Sequence, residues 1–281
     1  KEVTIMSKIA HPNVITFLGV CLESENFLLI TELMQMDLMS LLHNPKIPLS
    51  FYDSIKISRD IALGCNWIHS LGILHRDLKS SNILVSFLKD DLVVRICDFG
   101  LSQIRSDEME RDPGNPRGTV NWMSPEVLSS SSFNEKSDVW SFGVVLWELL
   151  TRQLPHADKT REQVIDFVVA QKKALELPFE VEPSVQNLLD SCFSFSPDSR
   201  PSFETILRDI HQCLVDVAIA DPLGRVLWKD FFIQDTLIEF APWNEFWKAL
   251  TEFVPSKHVA DDFSRLCLKM MLVSDTTRMK E

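Results

Sequence analysis

The sequence predicts an α+β fold, in which a small sheet-bearing N-terminal part precedes a mostly helical lobe and a small helical extension. Three patterns predict this arrangement: a pair of β-rich runs near the N-terminus, a second pair of short apolar runs in mid-chain, and several segments with helical apolar spacing that prolines separate. The chain has 281 residues, of which 45% are hydrophobic, and this is enough for one large or two modest domains with buried cores.

The N-terminal part begins with a predicted helix and a predicted hairpin. Residues 2–9 carry apolar side chains at helical spacing, and the helix should end before His11 because Pro12 disfavours helical backbone in the residue ahead of it. The β-rich runs 14–21 and 27–31 flank polar residues, which predicts an antiparallel hairpin.

A long helix and a second hairpin are predicted next. Ser50 can cap a helix whose apolar residues within 55–68 face inward, and Gly72 can end that helix in the left-handed conformation. The short apolar runs 83–85 and 92–96 flank a polar turn, which indicates a second antiparallel hairpin.

The remainder is predicted to be irregular and then helical. Residues 99–134 are poor in apolar periodicity, which predicts a long irregular segment of the kind that is usually functional or disordered. Beyond it the apolar spacing predicts four helices, with prolines at the breaks, over residues 135–150, 161–171, 184–192 and 203–217.

The composition argues against several classes of function. A net charge of −12 without a Lys/Arg cluster argues against nucleic acid as a partner. The six cysteines lie far apart with no C-x-x-C pair, which predicts free thiols in a reducing compartment, and we therefore expect a cytoplasmic protein. The longest apolar stretch, residues 139–150, is short and interrupted by polar residues, so no transmembrane segment is expected.

The segment HRDLKSSN, residues 75–82, places an aspartate, a lysine and an asparagine at short spacing. Phosphoryl transfer from ATP requires an oriented hydroxyl and neutralised phosphate charge more than covalent chemistry. Asp77 can accept the hydroxyl proton, Lys79 can contact the transferring phosphate, and Asn82 can bind Mg²⁺ through its amide oxygen. Asp98, at the end of the second hairpin, can supply the carboxylate that Mg²⁺ prefers.

These residues resemble those of the eukaryotic protein kinases. Each short motif alone arises by chance, whereas five in the family's order are specific. The competing interpretation is a generic α/β domain in which Asp77 and Asp98 are solvated loop carboxylates. The five segments are HRD with Asn82 for the catalytic loop, DFG at 98–100 for the metal-binding motif, SPE at 124–126 for A-P-E with serine in place of alanine, DVWSFG at 138–143, and RP at 200–201.

The resemblance implies a role for each matching residue. Asp77, Lys79 and Asn82 would be the catalytic residues, and Asn82 with Asp98 would bind Mg²⁺. The remaining nucleotide-site residues implied by the resemblance are Glu2 as the helix glutamate that pairs with the ATP-binding lysine, Thr31 as the gatekeeper behind the adenine, Glu32 to Met34 as the hinge whose backbone bonds the base, and Leu84 beneath the adenine. The resemblance also implies a regulatory spine in which four side chains stack, those of Met6, Phe17, His75 and Phe99.

The motifs most resemble the tyrosine-kinase-like group, which includes Raf and mixed-lineage kinases. This resemblance implies ATP and Mg²⁺ as cofactors, protein substrates, and transfer to serine or threonine in intracellular signalling. Lys79 and the pair Gly118-Thr119 fit that preference, and Thr119 is expected to contact the catalytic loop. Dual specificity, with tyrosine as a further acceptor, stays open.

The N-terminal end departs from the family pattern. The family has a glycine-rich loop and a Val-Ala-x-Lys strand ahead of the helix that holds Glu2, and here only Lys1 precedes Glu2. We therefore expect an N-terminally truncated kinase domain over residues 1–217, with weak ATP binding. The alternative function is a catalytically silent, pseudokinase-like scaffold.

Residues 218–281 are expected to form a separate helical extension rich in tryptophan and phenylalanine. The segment loosely resembles the helical linker that some tyrosine-kinase-like kinases carry ahead of a Src-homology phosphotyrosine-binding domain. A stabilising appendage and a binding surface for signalling partners are both compatible with this pattern.

Overall fold

The computed structural model describes residues 2–23, 26–88, 91–100, 102–104, 119–130 and 132–220. Over these residues the predicted α+β architecture is confirmed, since short antiparallel sheets occupy the N-terminal part and helices dominate the rest. The predicted extension lies outside the described residues, except that residues 218–220 end the last helix.

The N-terminal part contains helix α1 (Glu2–Met6) and the predicted hairpin of strands β1 (Phe17–Glu23) and β2 (Asn26–Thr31). The helix is shorter than predicted, because the backbone after Met6 tightens into a turn that Lys8 N closes on Ile5 O. Strand β1 begins at Phe17 rather than at the predicted residue 14.

The residues ahead of β1 pair elsewhere. Val14 forms a parallel bridge with Ile96, and Ile15 N donates to Ile96 O at 2.9 Å. These long-range bonds connect the N-terminal segment to the second hairpin, which explains why residues 14–16 do not extend the first one.

The second hairpin forms the centre of a three-stranded sheet. Its antiparallel order is β3 (Met36–Asp37), β5 (Ile83–Leu88) and β6 (Asp91–Ile96), and the short helix α2 (Leu38–Leu42) follows β3. The hairpin is longer than predicted at its turn end. At its other end Ile83 pairs with Ile96, and this is the last pair of the hairpin. The residue before Ile83 and the residue after Ile96 therefore leave the sheet at the same place.

Helix α3 (Phe51–Ser70) begins and ends where the sequence predicts. Ser50 and Asp53 form a capping box, with Asp53 N donating to Ser50 Oγ and Ser50 N donating to Asp53 Oδ2, both at 3.0 Å. Gly72, just beyond the helix, has a φ of 71°, a conformation that favours glycine. The buried side of the helix carries Ile55, Ile57, Ile61, Cys65 and Ile68.

Helix α5 (Glu135–Thr151) is buried on nearly every side and packs against α3. Asn134 caps its first turn, and it ends at Arg152, which has a φ of 55°. The guanidinium of Arg152 stabilises this left-handed end by donating to four backbone carbonyls in and after α2, those of Leu41, Leu42, Asn44 and Ile47.

Residues 99–134 are predicted to be a long irregular segment, but the described ones contain short regular elements. They include strand β7 (Gln103–Ile104), which pairs with β4 (Ile73–Leu74), the 3₁₀ turn Val120–Trp122, and helix α4 (Pro125–Ser130). These elements are too short to produce a detectable apolar period, and tertiary contacts stabilise them instead.

The remaining helices are close to their predicted bounds. Helix α6 (Arg161–Ile165) continues into the π-helical turn Asp166–Ala170, and α7 (Pro183–Cys192) and α8 (Phe203–Ala220) follow. Helix α8 packs on α3 and α7, which completes the core of the helical lobe. In the described part of the chain, none of the helices is long and apolar enough to cross a membrane.

Candidate active site

A buried carboxylate holds the backbone that leads into HRDLKSSN. Asp138, at the start of α5, is 2% exposed and accepts the backbone N–H of His75 and of Arg76, both at 2.9 Å. Burial favours the neutral carboxyl, but the hydrogen bond and charge of His69 outweigh it and lower the pKa of Asp138. Arg76, with a φ of 70°, is thereby fixed in the left-handed region.

His75 connects this loop to the DFG segment. Its buried ring donates from Nε2 to the carbonyl of Cys97 at 3.0 Å and lies 5.3 Å from the ring of Phe99. Phe99 is fully buried, whereas Asp98 is exposed and has a φ of 63°. The two neighbours therefore point in different directions, and only Asp98 faces solvent.

The catalytic-loop side chains form one hydrogen-bonded cluster. Lys79 Nζ lies 2.7 Å from Asp77 Oδ2 and donates to Thr119 Oγ1 at 2.8 Å. Thr119 N donates to Asp77 Oδ1 at 3.3 Å, and Asn82 Nδ2 donates to Asp77 Oδ2 at 3.1 Å. The expected contact of Thr119 with the catalytic loop is present, and it joins residues that are 42 positions apart in the chain.

Asn82 and Asp98 emerge from the same end of the second hairpin. They lie just outside the pair Ile83–Ile96, and Cys97 N donates to Asn82 O at 2.9 Å. Because the amide nitrogen of Asn82 is bound to Asp77, its amide oxygen points the other way, away from that carboxylate. One amide oxygen and one exposed carboxylate are oxygen donors that suit Mg²⁺.

The Asn82 amide oxygen and the Asp98 carboxylate are too few to bind a metal ion by themselves. They suit a Mg²⁺ ion that is also bound by the phosphates of a substrate. Among the described residues no group of three or more His, Cys, Asp or Glu side chains could enclose a metal ion. Magnesium commonly takes one or two protein ligands and completes its shell with phosphate oxygens and water.

The predicted hinge begins at Glu32, which forms hydrogen bonds through both its backbone and its carboxylate. Glu32 N donates to Thr16 O at 3.0 Å, and the Glu32 carboxylate accepts from Thr16 Oγ1 at 2.7 Å and from Arg95 Nε at 3.1 Å. Burial raises the pKa of Glu32, but the hydrogen bonds from Thr16 and the charge of Arg95 outweigh it and lower the pKa overall. The Glu32 side chain thus joins the hinge to β6.

The other predicted nucleotide-site residues surround this hinge. Thr31 ends β2, and its hydroxyl donates to Glu32 O at 3.3 Å. Met34 and Leu84 are half-buried and pack against the core, and Ser86 Oγ lies 3.6 Å from Met34 Sδ. Their proposed contacts with adenine stay predictions.

The roles proposed for Glu2 and for the regulatory spine stay predictions. Glu2 begins α1, and the prediction for its side chain lies outside what the structure describes. Within the proposed regulatory spine, the rings of His75 and Phe99 are in contact but tilted by 54°, Met6 is buried, and Phe17 is half-buried against the core. This burial is equally what ordinary core packing produces.

No motif in the sequence pointed to Glu148, yet it contacts the site. This α5 residue is fully buried and accepts from Ser80 in the catalytic loop and from Trp122 in the 3₁₀ turn after Thr119. The available signal was an isolated glutamate inside the apolar run 139–150, since a buried carboxyl requires polar partners.

The described fold and the order of these motifs are those of a protein kinase domain. A family model for protein tyrosine and serine/threonine kinases matches residues 1–210. The chain belongs to this family.

The curated relatives agree with the predicted subgroup. Dual specificity protein kinase shkD of Dictyostelium discoideum is 40% identical over 255 residues, which are 89% of this chain and 34% of the relative. Dual specificity protein kinase shkA of the same organism is also 40% identical, over 90% of this chain and 48% of its own length. Serine/threonine-protein kinase CTR1 of Arabidopsis thaliana is 38% identical over 79% of this chain and 27% of its own length.

The chain spans about a third to half the length of the first two relatives and about a quarter of the third. The resemblance to the tyrosine-kinase-like group is confirmed by this set of dual specificity and serine/threonine kinases.

Proposed function

We propose that the protein transfers the γ-phosphoryl group of ATP to serine or threonine hydroxyls of other proteins, with tyrosine as an additional acceptor. The observation that supports this most directly is the position of Lys79, which joins Asp77 to Thr119 through bonds of 2.7 and 2.8 Å. The shk relatives are named dual specificity protein kinases, and this supports tyrosine as an additional acceptor in the proposal.

Asp77 is the proposed base. Its carboxylate is nine-tenths buried, and Lys79, Asn82 and the Thr119 backbone hold it in place. A carboxylate fixed by several donors can orient an incoming hydroxyl and take its proton as the new bond to phosphorus forms. Lys79 then provides positive charge beside the developing phosphate charge.

Asn82 and Asp98 are the proposed Mg²⁺ ligands, through the amide oxygen and the exposed carboxylate. When bound, Mg²⁺ neutralises phosphate charge and orients the phosphates of ATP. Glu2, Thr31, Leu84 and the hinge from Glu32 to Met34 are the proposed nucleotide-site residues.

The proposal extends to organisation and location. Residues 1–217 form the proposed kinase domain, residues 218–281 are a proposed extension that either stabilises this domain or contacts signalling partners, and the protein acts in the cytoplasm without binding nucleic acid. The acidic net charge of −12 supports the last point.

The test is transfer of labelled phosphate from ATP to a generic serine/threonine substrate and to a poly-tyrosine substrate. The full-length protein and the 281-residue chain are assayed side by side, each with an Asp77→Asn control. We expect transfer by the full-length protein that Asp77→Asn abolishes. A folded full-length protein that transfers nothing would contradict the proposal and favour the scaffold alternative.

A further inference from the structure

A cavity of about 560 Å³ opens on the surface of the helical lobe, and none of its lining residues belongs to the proposed catalytic or nucleotide site. We call it the distal cavity; it lies between the end of α5, the loop ahead of α6 and the segment after the π-helical turn. Its inner surface is apolar, because Trp147 is buried and Phe167 and Leu175 pack against the core. Leu154, at the rim, is 43% exposed. A cavity of this volume can enclose a large side chain.

His156 is a buried polar side chain that lines this cavity. It is 6% exposed, and in the described part of the chain neither of its ring nitrogens has a hydrogen-bond partner. Burial lowers the pKa of His156 to about 4, and the charge of Lys159 acts in the same direction, so the ring is neutral. A neutral imidazole offers one donor and one acceptor, and buried groups of this kind are normally paired. A ligand in the cavity would supply the missing partners.

The charges around the distal cavity balance. Lys159 forms an ion pair with Asp158 at 2.8 Å, and the other two charged lining residues, Lys173 and Glu176, are both exposed. With a neutral His156, the lining therefore carries no net charge. A charged ligand group would lose its hydration here without gaining an excess of countercharge, so an uncharged apolar group fits the cavity best.

Two uncommon backbone conformations shape the cavity. His156 has a φ of 54°, a left-handed conformation that residues other than glycine adopt at a cost. Phe167 lies in the π-helical turn Asp166–Ala170, and such turns are frequent at functional sites. These conformations bring the rings of His156 and Phe167 to the same cavity, where they meet edge to face at 5.4 Å.

The distal cavity adjoins the acceptor side of the proposed active site. Asn121 Nδ2 donates to the carbonyl of Pro155 at 2.9 Å, and Pro155 leads into the cavity lining. Asn121 closely follows Thr119, whose backbone N–H donates to the carboxylate of Asp77. Helix α6 also packs against the turn Val120–Trp122. A protein chain that presents a hydroxyl to Asp77 therefore lies close enough to extend over the cavity.

We propose that the distal cavity is a docking site for the protein substrate and binds a large apolar side chain at a fixed distance along the chain from the acceptor residue. The inference rests on the proposed kinase function. The apolar side chain would contact Trp147, Phe167 and Leu175. A backbone amide beside it would pair with the neutral His156 ring, because peptide units carry both a donor and an acceptor. Burial of such a side chain strengthens binding by about tenfold or more.

The test is phosphate transfer by the full-length protein to a series of synthetic peptides. Each peptide has a single serine acceptor in a background of glycine, glutamine and lysine, and a single phenylalanine at increasing distance from the serine on either side. The reference peptide has glutamine in place of the phenylalanine. We expect the KM for the peptide to fall about tenfold over a restricted range of distances, with kcat little changed.

Ala174→Trp is the central variant. Ala174 is half-buried and lines the cavity, so an indole at this position would fill the space. The ratio of KM between the reference peptide and the phenylalanine peptide should fall from about ten to about one. Ala10→Trp is the matched control, because Ala10 is exposed and lies in the N-terminal part, outside the cavity lining. It should keep the full ratio.

Leu154→Asp keeps the test decisive if Ala174→Trp does not fold. Leu154 is already exposed, so aspartate at this position should leave folding intact. It would place an unpaired charge beside the apolar occupant, and the KM ratio should fall about threefold or more.

Fluorescence polarisation of the labelled phenylalanine peptide measures docking without catalysis. We expect binding that the glutamine peptide shows only weakly and that Ala174→Trp loses. The docking role would be wrong if KM did not depend on the position of the phenylalanine, if Ala174→Trp kept the full KM ratio, or if the two peptides bound equally well. A dimer that the parent forms and Ala174→Trp does not form would assign the cavity to a second copy of the chain, and would also overturn the inference.

The two assays separate failure of the docking role from failure of the proposed function. An active parent that shows no phenylalanine-dependent binding would overturn the docking role alone. A folded parent that binds the phenylalanine peptide but transfers no phosphate would overturn the proposed function, and the substrate role of the cavity with it.

Discussion

Arg200 and Glu126 form an ion pair with two parallel bonds, Nη1 to Oε1 and Nη2 to Oε2, each 2.8 Å long. The Arg200 side chain is completely buried, and its guanidinium also lies 5.1 Å from the ring of Trp140. Burial raises the pKa of Glu126, but the bonds and charge of Arg200 outweigh it and lower the pKa overall. The pair joins α4, just after the Thr119 segment, to the loop ahead of α8.

Glu126→Gln should lower the free energy of unfolding by about 3 kcal/mol, because it leaves the buried guanidinium without a counter-charge. Urea denaturation followed by circular dichroism measures the change. Asp158→Asn is the matched control, since Asp158 forms an ion pair with Lys159 but is largely exposed, and its loss should leave the midpoint unchanged. Equal shifts in the two variants would contradict the prediction.

Asp77→Asn should reduce phosphate transfer by about a thousandfold or more while nucleotide binding is retained, because asparagine cannot take the hydroxyl proton. Asparagine also preserves the volume and keeps one acceptor, its amide oxygen, for Lys79. Single-turnover transfer and nucleotide titration of the full-length protein measure the two quantities. Turnover within about tenfold of the parent would rule out Asp77 as the base.

Asp98→Ala should remove the Mg²⁺ dependence of nucleotide binding. The exposed Asp98 carboxylate is the only charged member of the proposed ligand pair with Asn82, so its loss leaves a neutral donor. Nucleotide titrations with and without Mg²⁺ give the measurement. Asp198→Asn, at an exposed turn of the helical lobe, is the control and should behave as the parent does. An unchanged Mg²⁺ effect in Asp98→Ala would exclude Asp98 as a ligand.

Glu148 should make stability depend on pH between about 4.5 and 7. Burial raises its pKa from 4.5 to about 7, although the hydrogen bonds from Trp122 and Ser80 act in the opposite direction. Across this interval the folded state retains a proton that the unfolded state has lost, so the free energy of unfolding falls as the pH rises.

Glu148→Gln cannot titrate and should lack this slope. As the pH rises from about 4.5 to about 7.5, the free energy of unfolding of the variant should increase relative to that of the parent by on the order of 3 kcal/mol. Urea denaturation at several pH values measures the difference, and subtraction of the two proteins cancels all other titrating groups. Parallel stability curves would show that Glu148 ionises as an exposed carboxyl does.

Gly64→Ala should be destabilising by about 1 to 3 kcal/mol through overpacking. A Cβ at this position in α3 would lie 2.8 Å from the backbone oxygen of Asn13 and 2.7 Å from Ile96 Cδ1. The backbone oxygen cannot move aside easily, because it accepts from Ile96 N. Gly19→Ala is the control, since a Cβ there would meet nothing within 4 Å. Thermal unfolding of both variants compares them directly.

The sequence by itself determined the fold class and the long helices, and it singled out the candidate residues of the HRDLKSSN segment. Helix α3 could be predicted because its capping residue, its apolar period and its terminal glycine are all local signals. Asp77, Lys79 and Asn82 could be proposed as catalytic residues because they lie within six residues, so their combined chemistry is visible in one short segment.

Only the tertiary structure decided which distant groups meet. The pairing of Val14 with Ile96, the contact of Thr119 with Lys79 and the two bonds of Glu148 connect residues that are far apart in the chain. No local pattern encodes such contacts, because they arise when helices and loops bury their apolar surfaces together and most buried polar groups then find a partner. Glu148 was visible in the sequence as an isolated charge in an apolar helix, but its partners follow from packing alone.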